Sequence, residues 1–119
     1  MRSDSDRLND ILGAISKIKE RVATDFDNFR GDEMLQVWVI HHLQVIGEAA
    51  RGVSQFSRGR YPEVPWTQIV ALRNILVHEY FGLNMQQLWM VTQRELPALE
   101  QQILAIRHQA SSDSRHDLS

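Results

Sequence analysis

The sequence predicts an all-α fold, an up-and-down bundle, from three observations. Apolar residues recur at three- and four-residue steps over four stretches; short segments bearing glycine, proline or aspartate separate them; and nowhere do apolar and polar residues alternate at the period of a strand. At 119 residues the chain fits one domain with one core. Its 43% hydrophobic and 24% charged content is that of an ordinary globular protein, not of a disordered or fibrous one. We place a single helical domain at 1–110 and a flexible polar tail at 111–119.

The first helix follows Ser3 and Asp4, both good N-cap types, and carries Leu8, Ile11, Leu12, Ile15, Ile18 and Val22 on one face; it should end near Thr24. Next, DFDNFRGDE reads as a connector, a short turn that Phe26 and Phe29 pin to the core. From about Asp32 to Ser54 a long helix is apolar almost all round, as a central helix would be. Its polar residues His41, Gln44, Glu48 and Arg51 step by three and four and form one stripe that faces water or a site. SQFSRGRYPEVP reads as a loop. A third main helix should begin at Pro65 and run to about Phe81, with Gly82 as its stop. Asn84 caps a fourth, with Leu88, Trp89, Leu96, Leu99, Ile103 and Ile106 on one face, and Pro97 should kink or split it.

Several function classes drop out. The absence of cysteine removes disulfides, thiol nucleophiles and zinc ribbons, and agrees with a reducing compartment, the cytoplasm. No apolar run approaches the roughly 20 residues of a membrane span. The N-terminus is acidic and polar, unlike a signal peptide. A net charge of -2 argues against coating nucleic acid by bulk electrostatics. Yet residues 34–73 hold four arginines against Glu48 and Glu63, so an anion-binding surface should lie mid-chain. Adjacent on a helix, His41 and His42 diverge by about 100° and cannot share one metal. We expect neither metal nor cofactor. His108 and His116 read as solvated, and Trp38, Trp66 and Trp89 as packing.

Chemistry concentrates between Arg73 and Tyr80. Arg73 falls inside the apolar stripe Trp66, Ile69, Val70 and Val77, and a guanidinium there needs a carboxylate, solvent or an anion. Glu48 is the obvious partner. His78 lies five residues on, about 140° round the helix, whereas Asn74 and His78 share a face. One helix therefore cannot close a site alone, but two copies meeting across a two-fold axis could bring Arg, Asn and His together. Histidine can take a proton from a ribose 2′-hydroxyl or give one to a departing 5′-oxygen, while arginine and asparagine hold phosphate oxygens. Arg58 and Arg60, with Gly59, read as a flexible basic loop for RNA phosphate contact or simple solubility rather than catalysis, and Arg51 as a further RNA-binding candidate.

RNILVHEYFG fits an R-x-x-x-x-H-x-Y motif. Together with VIGEAA, YPEVPW and the later LW and LP pairs, in order over nearly the whole chain, it resembles the HepT group of HEPN-domain proteins. The resemblance implies a four- to five-helix HEPN fold, a homodimer, and metal-independent endoribonuclease activity on a tRNA or mRNA. The activity would be that of the toxin in a toxin–antitoxin pair, with a minimal nucleotidyltransferase as antitoxin. It places catalytic roles on Arg73, Asn74 and His78, and makes Tyr80 the acceptor of AMP from the antitoxin. Negative charge and bulk on Tyr80, two residues from His78, would repel an RNA phosphate and switch the site off. Two other readings fit the same residues: a non-catalytic helical module that partners a nucleotidyltransferase, and a structural dimer with an Arg73–Glu48 pair.

Overall fold

The computed structural model describes residues 2–22, 25–78 and 83–118, and side chains through 76 and from 83 to 109. Among the described residues it is all-α, with no strand.

α1 (Asp4–Arg21) starts at a reciprocal capping box: Ser3 Oγ accepts from Asp6 N–H, and Asp6 accepts from Ser3 N–H, each at 3.1 Å. The periodic residues Leu8, Ile11, Ala14, Ile15 and Ile18 form its buried face. It stops at Arg21, short of Thr24, because Val22 adopts extended backbone and donates its N–H to the Ile18 carbonyl. The predicted connector contains a turn of helix, α2 (Phe26–Arg30), capped by Asp25, with Phe29 fully buried and Phe26 edge-on to Trp89.

α3 (Glu33–Gly52), capped by Asp32, is the central helix and packs on α1, on α2 and on α5 (Trp66–His78). Val39, Ile40, Leu43, Ile46, Ala49 and Ala50 are buried on it. It is not enclosed all round, since Met34 is 81% and Val37 46% exposed on the line that continues through His41.

The segment read as a loop contains a helix, α4 (Gln55–Arg60). Ser54 caps it by accepting from Ser57 N–H at 3.2 Å, and its first proline comes only at position 62. Local capping outweighed the glycine and serine content that suggested a loop. α5 then begins at Trp66, one residue later than expected, with the Pro65 carbonyl accepting from Ile69 N–H. The buried Trp66 indole donates to the Tyr61 carbonyl at 3.0 Å and fixes the start of the helix. The expected end at Phe81 and the Gly82 stop lie outside the described residues.

Asn84 caps α6 (Met85–Met90) as predicted. A π-helical segment, Val91–Glu95, follows, and α7 (Leu96–Leu118) continues from it. Pro97 therefore neither ends the helix nor leaves a gap. A proline cannot donate to the carbonyl one turn back, and the backbone answers with a wider turn just before it. Thr92, buried in that turn, donates its hydroxyl to the Trp89 carbonyl at 2.6 Å. The α7 backbone remains helical past residue 110; Ile103 and Ile106 are buried in the core, and α7 packs on α1 with a Lys19–Glu100 pair at 3.0 Å.

Candidate functional site between the third and fifth helices

α5 meets α3 at Gly47. A Cβ on Gly47 would overlap the Cβ of Arg73 and lie 2.8 Å from its Cγ, so only glycine lets the helices approach this closely. The arginine stem consequently lies across the α3 backbone, and its head emerges beside the next residue, Glu48. Arg73 Nε sits 3.2 Å from Glu48 Oε2, the pairing expected from the sequence. Nη1 donates to Asn74 Oδ1 at 3.1 Å. The Arg73 side chain is 25% exposed and that of Glu48 59% exposed. An ion pair this open to solvent contributes only about 0–1 kcal/mol to stability, so its main consequence is to orient the guanidinium.

The two helices leave an open cleft of about 290 Å³ lined by His41, Gln44, Val45, Glu48 and Arg73. The polar stripe read from the sequence therefore faces an open cleft and solvent at once. Arg51 continues that stripe, exposed, one turn beyond Glu48. The helical backbone of α5 reaches His78, one turn past Asn74, so positions 74 and 78 lie on one helix line. Tyr80 lies outside the described residues.

Arg58 has a different place from the one expected. Its Nη2 donates to the Ala50 carbonyl at 2.8 Å and the Arg51 carbonyl at 2.9 Å, and its Nε to the Val53 carbonyl at 3.2 Å. It caps the C-terminus of α3, where a cation also complements the helix dipole. Arg60 is exposed, with its guanidinium 5.7 Å from the centre of the Tyr61 ring. His41 and His42 touch edge to face, ring centres 4.9 Å apart, and His42 also contacts Trp38 at 4.5 Å. Burial, aided by the nearby His41 and Lys17, lowers the His42 pKa below its ordinary 6.5. His42 Nε2 is buried and has no hydrogen-bond partner among the described residues. Trp38, Trp66 and Trp89 pack as expected, the first donating its indole N–H to the Lys17 carbonyl.

The residue that sequence reasoning passed over is Gly47. It stood inside the quoted VIGEAA string, and a glycine within a helical run signals close approach by another backbone or side chain. Among the described residues no group of three or more His, Cys, Asp or Glu could hold a metal. No helix of the described residues is long and apolar enough to cross a membrane.

Fold and site together define an all-α HEPN-like domain whose polar centre is an arginine held on a glutamate between two helices. The chain belongs to the HepT-like ribonuclease family, whose model, described as "Ribonuclease HepT-like", matches residues 11–106. That span contains Glu48, Arg73, Asn74, His78 and Tyr80. Among similar proteins is "Putative RNase MJ1380" of Methanocaldococcus jannaschii, 35% identical over 97 residues, which are 81% of this chain and 89% of that protein. Another is "Probable ribonuclease HepT" of Thermococcus cleftensis, 35% identical over 100 residues, 83% of this chain and 91% of that one. No solved structure matches the chain significantly.

Proposed function

We propose that the protein is a metal-independent endoribonuclease, the toxin of a toxin–antitoxin pair, with a composite site that two copies build across a two-fold axis. The single observation that carries this reading is Arg73: a part-buried guanidinium oriented by Glu48 and Asn74, on the same helix as His78. Its Nε and Nη1 face those two neighbours, and the Nη2 edge is the part we assign to a phosphate oxygen. His78 of one copy takes the 2′-hydroxyl proton as that oxygen attacks phosphorus, and His78 of the other protonates the departing 5′-oxygen. The products are a 2′,3′-cyclic phosphate and a free 5′-hydroxyl. Arg73 and Asn74 stabilise the charge that builds on the phosphoryl oxygens.

Two copies are called for because positions 73 and 78 diverge by about 140° on one helix. The exposed apolar Met34 and Val37 on the line of α3 that leads to the cleft, at 81% and 46%, support a face that a second copy covers. AMP placed on Tyr80 by a nucleotidyltransferase antitoxin would add negative charge two residues from His78 and oppose RNA entry. Purified protein should cut RNA with EDTA present, and His78→Ala should leave the RNA intact. Intact RNA with the unsubstituted protein, alongside stable binding of a nucleotidyltransferase, would favour the non-catalytic module that the net charge of -2 also suits.

A further inference from the structure

α4 buries no residue, so the core does not hold it. Polar contacts do. The Asp4 carboxylate reaches from the start of α1 to Ser54 N–H at 2.9 Å and accepts from the hydroxyls of Ser54 and Ser57. Arg58 ties the same helix to the last carbonyls of α3. A helix fixed in this way from its inner side, and burying no residue of its own, needs another reason to carry a phenylalanine. Phe56 is 75% exposed, the one aromatic among the exposed large hydrophobics of the described residues. Gly59, three residues on, has open space where a Cβ would stand, and Arg60, four residues on, is exposed. Positions at these spacings share one helix face. The outward face of α4 is thus a phenyl ring beside bare backbone, with a guanidinium one turn away.

The local charge selects the occupant. Residues 51–60 hold Arg51, Arg58 and Arg60 and no acid, in a chain of net charge -2. Arg7 of α1 adds a guanidinium laid against Gly52, and it offsets the nearby Asp4 carboxylate. Arg51 stands one turn beyond Glu48 on the α3 stripe, between the Arg73 cleft and the end of α3 that leads into α4. A polyanion with flat apolar faces fits this combination: aromatic rings stack on bases, and arginines hold the linking phosphates. A base inside a duplex has no face to offer, so the platform selects unpaired RNA.

We propose that the outward face of α4 is a stacking platform for an unpaired RNA base, with the Phe56 ring under the base and Arg51 and Arg60 on the flanking phosphates. The proposal rests on the ribonuclease reading and adds substrate class to it. The test uses the His78→Ala protein, which should bind RNA without cutting it, and a short fluorescein-labelled RNA of mixed sequence, single-stranded or annealed to its complement. Adding Phe56→Ala should weaken single-strand binding about 5- to 150-fold, the range for losing one base–aromatic stack. Duplex binding should stay within about twofold, and Phe56→Trp should restore the single-strand affinity, as Trp supplies a larger stacking face. Equal single-strand affinity with and without Phe56, in a protein whose parent cuts RNA, overturns the platform and leaves the ribonuclease standing. Equal loss on both RNAs overturns stacking. A change from dimer to monomer on Phe56→Ala, read by light scattering, gives the face to a second copy instead. Neither binding nor cutting by the parent protein sinks both proposals together.

Discussion

The helix α3 has two seams built from different material. Against α1 it is dry at the centre, where Ile11 and Ile15 are fully buried, and it opens to solvent at a rim lined by Asp10, Lys17 and His42. Against α5, at the level of Gly47, it is tight but wet, with one arginine laid over a glycine and its head in an open cleft. The first seam is held by apolar burial, which is non-directional and worth kilocalories per side chain. The second, at the level of Gly47, is set by shape, and its ion pair is too exposed to add much stability. One helix can therefore serve as the core on one side and line an open polar cleft on the other, because the two jobs use different forces.

The largest effect should come from the wet seam and appear in activity. Arg73→Gln keeps a stem against Gly47 but removes the charge, and should lower RNA cleavage about 10²–10³-fold, as loss of one charge-stabilising donor does. The melting temperature of the same sample should scarcely move. If instead stability falls and cleavage persists, the pair is structural and the contrast between the seams fails.

The dry seam should show the opposite pattern. Ile15→Ala removes a fully buried side chain and should lower unfolding free energy by about 2–5 kcal/mol in urea titration, with cleavage per folded molecule unchanged.

Gly47→Ala tests the join between them. In an open helix this change stabilises by up to about 1 kcal/mol. Here the Cβ must displace Arg73, so the expected result is a loss of about 1–3 kcal/mol, seen as a lower urea midpoint, together with reduced cleavage as Arg73 leaves Glu48. A more stable protein would show that the helices are not in close contact.

The smallest effect concerns pH. His42, beside α1, has a pKa lowered mainly by burial, so below its ordinary 6.5 the unfolded chain takes up a proton that the folded one resists. Stability should therefore fall as pH drops from about 6.5 toward the lower folded value, and be restored as pH rises. Melting scans at pH 7.5 and 5.5 should show a smaller drop for His42→Phe, which keeps a ring against Trp38.

Much of this was legible from spacing alone. The α1 face, the Asp32 to Ser54 helix within a few residues, the Asn84 cap and the Glu48–Arg73 pairing all follow from periodicity and from the need of a part-buried guanidinium for a carboxylate. Other features were not. α4 looked like a loop because glycine and serine are read as breakers, while its real support, Asp4 and the Arg58 contacts, is distant in the chain or points back onto another helix. Arg58 read as a phosphate contact because charge alone does not show that carbonyls already occupy it. Pro97 read as a kink or a split, and composition gives no hint that a π-helical turn just before it would absorb the missing donor.

By itself the sequence determined the class of fold and the central helix, since these depend on local periodicity and residue type, and it marked Arg73 to Tyr80 as the segment on which the proposed chemistry rests. Tertiary structure alone decided that Gly47 admits Arg73, which arginine becomes a cap, and which phenylalanine is left facing water. The physical reason is that such contacts join groups from different helices: their energies depend on where two backbones come to rest, and residue order along one helix does not record that.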